Sequence, residues 1–137
     1  MKLEILVTTD LHGNIFATNY SERNNQTEYG LARISQAIKA FKKNKNTLLL
    51  DNGDAIQGTP LITDAHQHGN EVNNPMAEAF NLLNYDYINL GNHDFNYGQN
   101  ILFDYINQTK APLLTSNVTY KDKPLGNTQI IEVEGIK

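Results

Sequence analysis

The 137-residue sequence contains no cysteine and no tryptophan. Without cysteine there is no disulfide framework, no thiolate metal site and no thiol nucleophile. Basic residues are in the minority, 11 Lys and Arg against 15 Asp and Glu, whereas a surface that grips a nucleic acid duplex carries a basic excess. No apolar run approaches the ~20 residues of a membrane span. A leader is missing too: Met1-Lys2-Leu3-Glu4-Ile5 enters strand-like sequence directly, without the pattern of a signal peptide. The chain therefore reads as cytoplasmic as it stands, or as an exported protein met without its leader. Repeats, low-complexity tracts and linkers are absent. What is plentiful is asparagine, at 19 residues. Three of these open N-x-T sequons, at Asn25, Asn107 and Asn117, which is near chance for this composition and carries no glycosylation reading.

At 15.4 kDa a compact chain buries about two-thirds of its extended surface, enough for one real core. Strand and helix signals alternate along it. Residues 3–9 are apolar and β-branched, as in a buried strand. Leu31, Ile34, Ile38 and Phe41 recur at helical spacing, and that segment closes on Lys42, Lys43 and Lys45. Thr47–Asp51 is a second strand. Asn74-Pro75 reads as a helix cap with proline in the first turn, and Met76, Ala79, Phe80 and Leu83 form that helix's inner face. A third strand follows at 87–90, a helix through Ile101, Leu102, Tyr105 and Ile106, and a fourth strand at 112–116. A turn at Lys123-Pro124-Leu125-Gly126 leads to a fifth strand at 129–133. This pattern predicts an α/β fold, a mostly parallel sheet flanked by helices and joined by right-handed crossovers.

Each early strand ends in polar residues that packing does not require: Asp10-Leu11-His12-Gly13-Asn14, Asp51-Asn52-Gly53-Asp54, Gly91-Asn92-His93-Asp94 and Ser116-Asn117. In an open α/β sheet the loops at the carboxyl ends of the strands converge, and ligands bind there. Asp and His two positions apart leave an extended chain on the same side. Gly53 permits a tight turn before Asp54. A mixed set of carboxylate, imidazole and amide suits Mn²⁺, Zn²⁺ or Fe²⁺ better than Ca²⁺. Two such ions can clamp a phosphate and activate water against it.

The series Asp10-x-His12, Gly53-Asp54 and Gly91-Asn92-His93-Asp94 resembles the signature of the calcineurin-like metallophosphoesterases. The longer strings 9–14, 51–58 and 92–98 are similar to the N-terminal catalytic domain of the 5′-nucleotidase and 2′,3′-cyclic-nucleotide 2′-phosphodiesterase family. That resemblance implies two divalent metal ions, with Asp10 and His12 on the first, Asp54 bridging both and Asn92 on the second. It implies His93 as general acid and a nucleotide or other phosphate ester as substrate. It also covers Tyr29-Gly30-Leu31-Ala32-Arg33. Arg33 reads there as a charged helix residue or a phosphate contact, and Asn117 as a turn residue or a contact from the fourth strand.

Two departures from the family pattern matter. Nucleotidase-branch members carry Asp three residues after the catalytic His. Here Asn96 stands at that position, which resembles the cyclic phosphodiesterase branch and leaves 5′-nucleotidase as the alternative. Asp94 either assists His93 or braces its loop. Secondly, two near-octahedral ions sharing one carboxylate need about seven protein ligands, whereas four are offered and no His follows His93. Residues 1–137 thus read as a single partial domain, the N-terminal half of a metallophosphoesterase-type α/β sandwich. The resemblance implies that the second half and the nucleoside-binding domain would lie outside these residues. Such a fragment would bind metal weakly, turn over little substrate by itself, and could associate with a copy of itself through the truncated edge. A non-catalytic nucleotide-binding module is the competing class, but no G-x-G-x-x-G follows the first strand. His66 and His68 read as part of a polar loop, with a metal clip as the other possibility.

Overall fold

A computed structural model describes residues 2–22, 28–133 and 135. The sequon at Asn25 lies outside them. Three parallel strands, β1 (Glu4–Thr8), β2 (Thr47–Asp51) and β3 (Tyr87–Ile88), form a sheet in the order β1-β2-β3. The register pairs Thr8 with Asp51 and Asp51 with Ile88, so the three carboxyl ends lie level and their loops emerge side by side. Between them run helices α1 (Leu31–Phe41), α2 (Pro60–His68) and α3 (Pro75–Leu83), with α4 (Gly98–Gln108) after β3. Among the described residues no helix is long and apolar enough to cross a membrane.

The core is built from the inner faces of these elements: Leu31, Leu49, Ile56, Ile62, Met76, Phe80, Ile88 and Tyr105 are almost inaccessible. Phe80 packs on Tyr85 with ring centroids 4.3 Å apart. The α3 cap forms as its sequence predicts, for Asn74 Oδ1 accepts the N–H groups of Met76 and Ala77 and Pro75 occupies the first turn. The other sheet face is open. Ile5 and Val7 are 55% and 57% exposed while Leu49 is at zero. On α1 the predicted apolar stripe is only half buried, with Leu31 and Ile38 inside and Ile34 and Phe41 outside.

Four expectations are corrected. The segment holding His66 and His68 is the end of α2, started by Thr59, whose Oγ1 accepts the N–H of Ile62, and by Pro60. That is the same cap-plus-proline signal as Asn74-Pro75, but α2 has few apolar residues and closes on His66-Gln67-His68, so its composition reads as a polar loop. The fourth strand reduces to a single parallel bridge between Ile88 and Leu113, which places the segment beside β3. The turn expected at 123–126 lies earlier, at Lys121 and Asp122, both in the left-handed region. It joins β4 (Thr119–Tyr120) to β5 (Lys123–Pro124) as an antiparallel pair, and no strand forms at 129–133.

Candidate metal centre

Beyond the last ladder pair, β1 and β2 stay joined through their loops. The N–H of Asp10 donates to Gly53 O (3.0 Å), that of His12 to Asp54 O (2.9 Å) and that of Gly13 to Ala55 O (2.8 Å). Asp10, His12 and Asp54 all have left-handed backbones, with φ of 54°, 48° and 57°. Non-glycine residues seldom adopt that conformation, and it persists where surrounding bonds enforce it. Here the enforced turn carries three side chains to one place: a ligand atom from each of Asp10, His12 and Asp54 lies within 4.8 Å of the others.

Glycine makes the third loop's approach possible. A Cβ on Gly53 would collide with the Gly91 backbone, and one on Gly91 would collide with the Asp54 carboxylate. The loop after β3 therefore packs directly on Asp54, and the N–H of His93 donates to Asp54 Oδ1 (2.8 Å). Asn92 lies between these two contacts, in the short 3₁₀ turn Asn92–Phe95, and is exposed. The His12 and His93 rings sit edge to face with centroids 5.4 Å apart.

Electrostatically the cluster is short of positive charge. Asp54 is buried (8% exposed), and among the described residues neither it nor Asp10 pairs with Lys or Arg. A buried carboxylate without a counter-ion is unfavourable unless a cation joins it. His12 is prepared for that cation: its Nδ1 lies 2.9 Å from the Gln57 carbonyl, which fixes Nδ1–H as the donor and leaves the Nε2 lone pair free. Nε2 in turn stands 3.9 Å from Asp10 Oδ1. Carboxylates and imidazole in one cluster fit a borderline divalent ion.

The remaining candidates separate clearly. Asn96 Nδ2 lies 3.0 Å from His93 Nδ1, so the expected pair forms. Asp94 is 1% exposed, and its two oxygens accept four backbone N–H groups, from Asp54, Ala55, Ile56 and Gly91, at 2.8–3.0 Å. Of its two expected roles this geometry is that of the brace, tying the β2 loop to the β3 loop. Arg33 is exposed on the first turn of α1 and forms no part of the cluster. Asn117 lines a different space, an open cleft of about 270 Å³ shared with Asp51, Asn52, Asn89 and Ser116. His66 packs on the Tyr97 ring with centroids 4.4 Å apart. Both its ring nitrogens are buried without a partner, and burial pushes its pKa down. His68 Nδ1 instead meets Asp64 O at 2.8 Å. Two positions apart on a helix, these rings diverge by about 200°, which removes the metal clip.

Two contributors escaped the sequence reading. Gln57 acts through its backbone carbonyl, which no side-chain pattern reveals. Asp51 ends the apolar run of β2 yet is 2% exposed. Its oxygens accept from Thr8 Oγ1 (2.6 Å) and Gly53 N (3.0 Å). Burial pushes its carboxyl up to about 7 although both bonds favour the ionised form. A lone acid closing a buried strand was the available signal.

Comparison with known proteins agrees with this geometry. The sequence pattern described as calcineurin-like phosphoesterase matches residues 3–136. The trifunctional nucleotide phosphoesterase protein YfkN of Bacillus subtilis is 39% identical over 123 residues, covering 85% of this chain but 8% of that protein. A 2′,3′-cyclic-nucleotide 2′-phosphodiesterase/3′-nucleotidase of Haemophilus influenzae is 38% identical over 119 residues, 85% of this chain and 18% of that one. The crystal structure of the calcineurin-like phosphoesterase YfkN superposes with a TM-score of 0.82 at 34% identity, covering 98% of this chain and 44% of that chain. The sequence thus spans less than a quarter of the length of these two relatives. By pattern, fold and the residues gathered at its strand ends, the chain belongs to the calcineurin-like phosphoesterase family.

Proposed function

We propose that this chain forms the N-terminal part of the catalytic domain of a longer, metal-dependent phosphoric ester hydrolase that acts on nucleotides, of the 2′,3′-cyclic-nucleotide 2′-phosphodiesterase/3′-nucleotidase type. The observation that carries the reading is the meeting of Asp10, His12 and Asp54, with ligand atoms within 4.8 Å. Asp10 and His12 would hold one divalent ion, Asp54 would reach both ions of a pair, and Asn92 would offer its amide oxygen to the second. Bound at such a centre, Mn²⁺, Zn²⁺ or Fe²⁺ neutralises phosphate charge and makes water nucleophilic.

The protein's own part in the chemistry falls to His93. With the Asn96 amide on Nδ1, Nε2 is the ring atom left to hand a proton to a departing oxygen, a step that needs the ring in its protonated form. Asn96 orients the ring without adding a negative charge, which favours the cyclic phosphodiesterase reading over 5′-nucleotidase. Asn117, which lines its own cleft, is one candidate substrate contact and Arg33 the other. Four ligands against the roughly seven that two near-octahedral ions need support a site completed from outside residues 1–137. The open sheet face supports the same reading, since it leaves a surface for further structure or a second copy to cover.

The test is to assay the longer enzyme with Mn²⁺ against 2′,3′-cyclic AMP and 5′-AMP. Turnover of the cyclic diester is expected. Hydrolysis of the 5′-monophosphate alone would transfer the assignment to 5′-nucleotidase.

A further inference from the structure

Asp51 is a buried acid with no part in the proposed chemistry, and it sits at a mechanical junction. Oδ2 accepts from the hydroxyl of Thr8 (2.6 Å), the last residue of β1 and two positions before Asp10. Oδ1 accepts from the N–H of Gly53 (3.0 Å), one position before Asp54. Its carboxyl therefore links the two strand ends from which the two ligand loops depart. The Tyr85 hydroxyl lies 2.9 Å from Thr8 Oγ1. Since Thr8 donates to Asp51, Tyr85 donates to Thr8, and the chain of donors runs Tyr85 to Thr8 to Asp51. Backbone bonds from Asp10, His12 and Gly13 to Gly53, Asp54 and Ala55 join the loops themselves; the Asp51–Thr8 bond ties the strands one step earlier, at their last ladder pair.

We propose that Asp51 and Thr8 form a positioning clamp for the metal centre, one that sets the separation of Asp10 and Asp54 and hence the affinity for a divalent cation without touching it. The inference rests on the metal-centre reading above. Outer-shell groups of this kind tune affinity because a ligand held off its optimum position by a few tenths of an ångström binds less well, and their loss typically weakens binding about 10- to 100-fold.

The experiment is titration of this chain with Mn²⁺, followed by electron paramagnetic resonance at a temperature where every variant is folded. The metal-free melting temperature is measured alongside. Thr8→Val keeps the β-branched shape and removes the hydroxyl, and it is expected to raise the Kd for Mn²⁺ about tenfold. Thr8→Ser restores the hydroxyl and is expected to stay within about twofold of the parent chain. Asp51→Ala should match or exceed Thr8→Val. If Thr8→Val and Asp51→Ala lower the melting temperature but bind Mn²⁺ like the parent, the residues are merely structural and the proposal is overturned. Asp54→Asn separates the two levels of the argument. If the parent does not bind Mn²⁺, or Asp54→Asn binds it equally well, the metal-centre reading itself fails and the clamp with it.

Discussion

Tyr105 of α4 is fully buried, with no hydrogen-bond partner for its hydroxyl. Burial, and then the neighbouring carboxyls of Asp51 and Asp94, hold its pKa well above the usual tyrosine value. A buried, unpaired hydroxyl loses its hydration for nothing in return, so Tyr105→Phe should stabilise the chain by about 1 kcal/mol. Urea denaturation would register this as a higher midpoint at unchanged slope. Asp51 yields a prediction about pH. Its folded-state pKa of about 7 stands above the unfolded value of 3.8, so the folded chain binds the proton more tightly than the unfolded one. The stability this contributes is complete below pH 4 and is lost as pH rises through about 7. Asp51→Asn has no proton to lose. Relative to that variant, the parent should therefore become less stable by about 1.4 kcal/mol per pH unit at the steepest part of the interval. Parallel denaturation at pH 5, 6 and 7 in the presence of a chelator would check it, and a constant difference would refute it.

The elements show what the sequence could and could not convey. Helices α1, α3 and α4 were legible because apolar residues recur at their period, and α3 also because Asn74-Pro75 announces its start. The approximate positions of β1 to β3, and the polar clusters beyond them, followed from short apolar runs that stop at Asp, Asn and Gly. Candidate ligands spaced far apart in sequence could be grouped because parallel strands must end together. By contrast, α2 was missed because its nine residues are mostly polar and it closes on His66-Gln67-His68, a composition that reads as a loop. The 112–116 segment reads as a strand by composition, but only Leu113 pairs. The left-handed turns at Asp10, His12 and Asp54 have no signature in residue type, for Asp and His adopt many other conformations. Thr59 deserves a test at this scale, since it both caps α2 and donates to Gly13 O at 3.1 Å. Thr59→Ala is expected to destabilise the chain by about 1–2 kcal/mol, with Thr59→Ser near the parent value, as read by thermal or urea unfolding.

Considered whole, the molecule is a sheet with one finished side. It exposes 8664 Å², against roughly 7,200 Å² for a compact monomer of its mass, and Ile5 and Val7 stand open on β1. The candidate metal centre lies at the carboxyl ends of the strands, where Asp94 braces the β2 and β3 loops and the Gln57 carbonyl holds His12 Nδ1. Everything functional depends on whether those loops together hold a divalent cation. The most direct measurement is an amide-resolved NMR spectrum of the chain with substoichiometric Mn²⁺, whose unpaired electrons broaden nearby signals. Selective broadening is expected for residues 10–14, 53–57 and 91–94, and it should vanish in Asp54→Asn. Broadening spread over the surface, or unchanged by that substitution, would contradict the account.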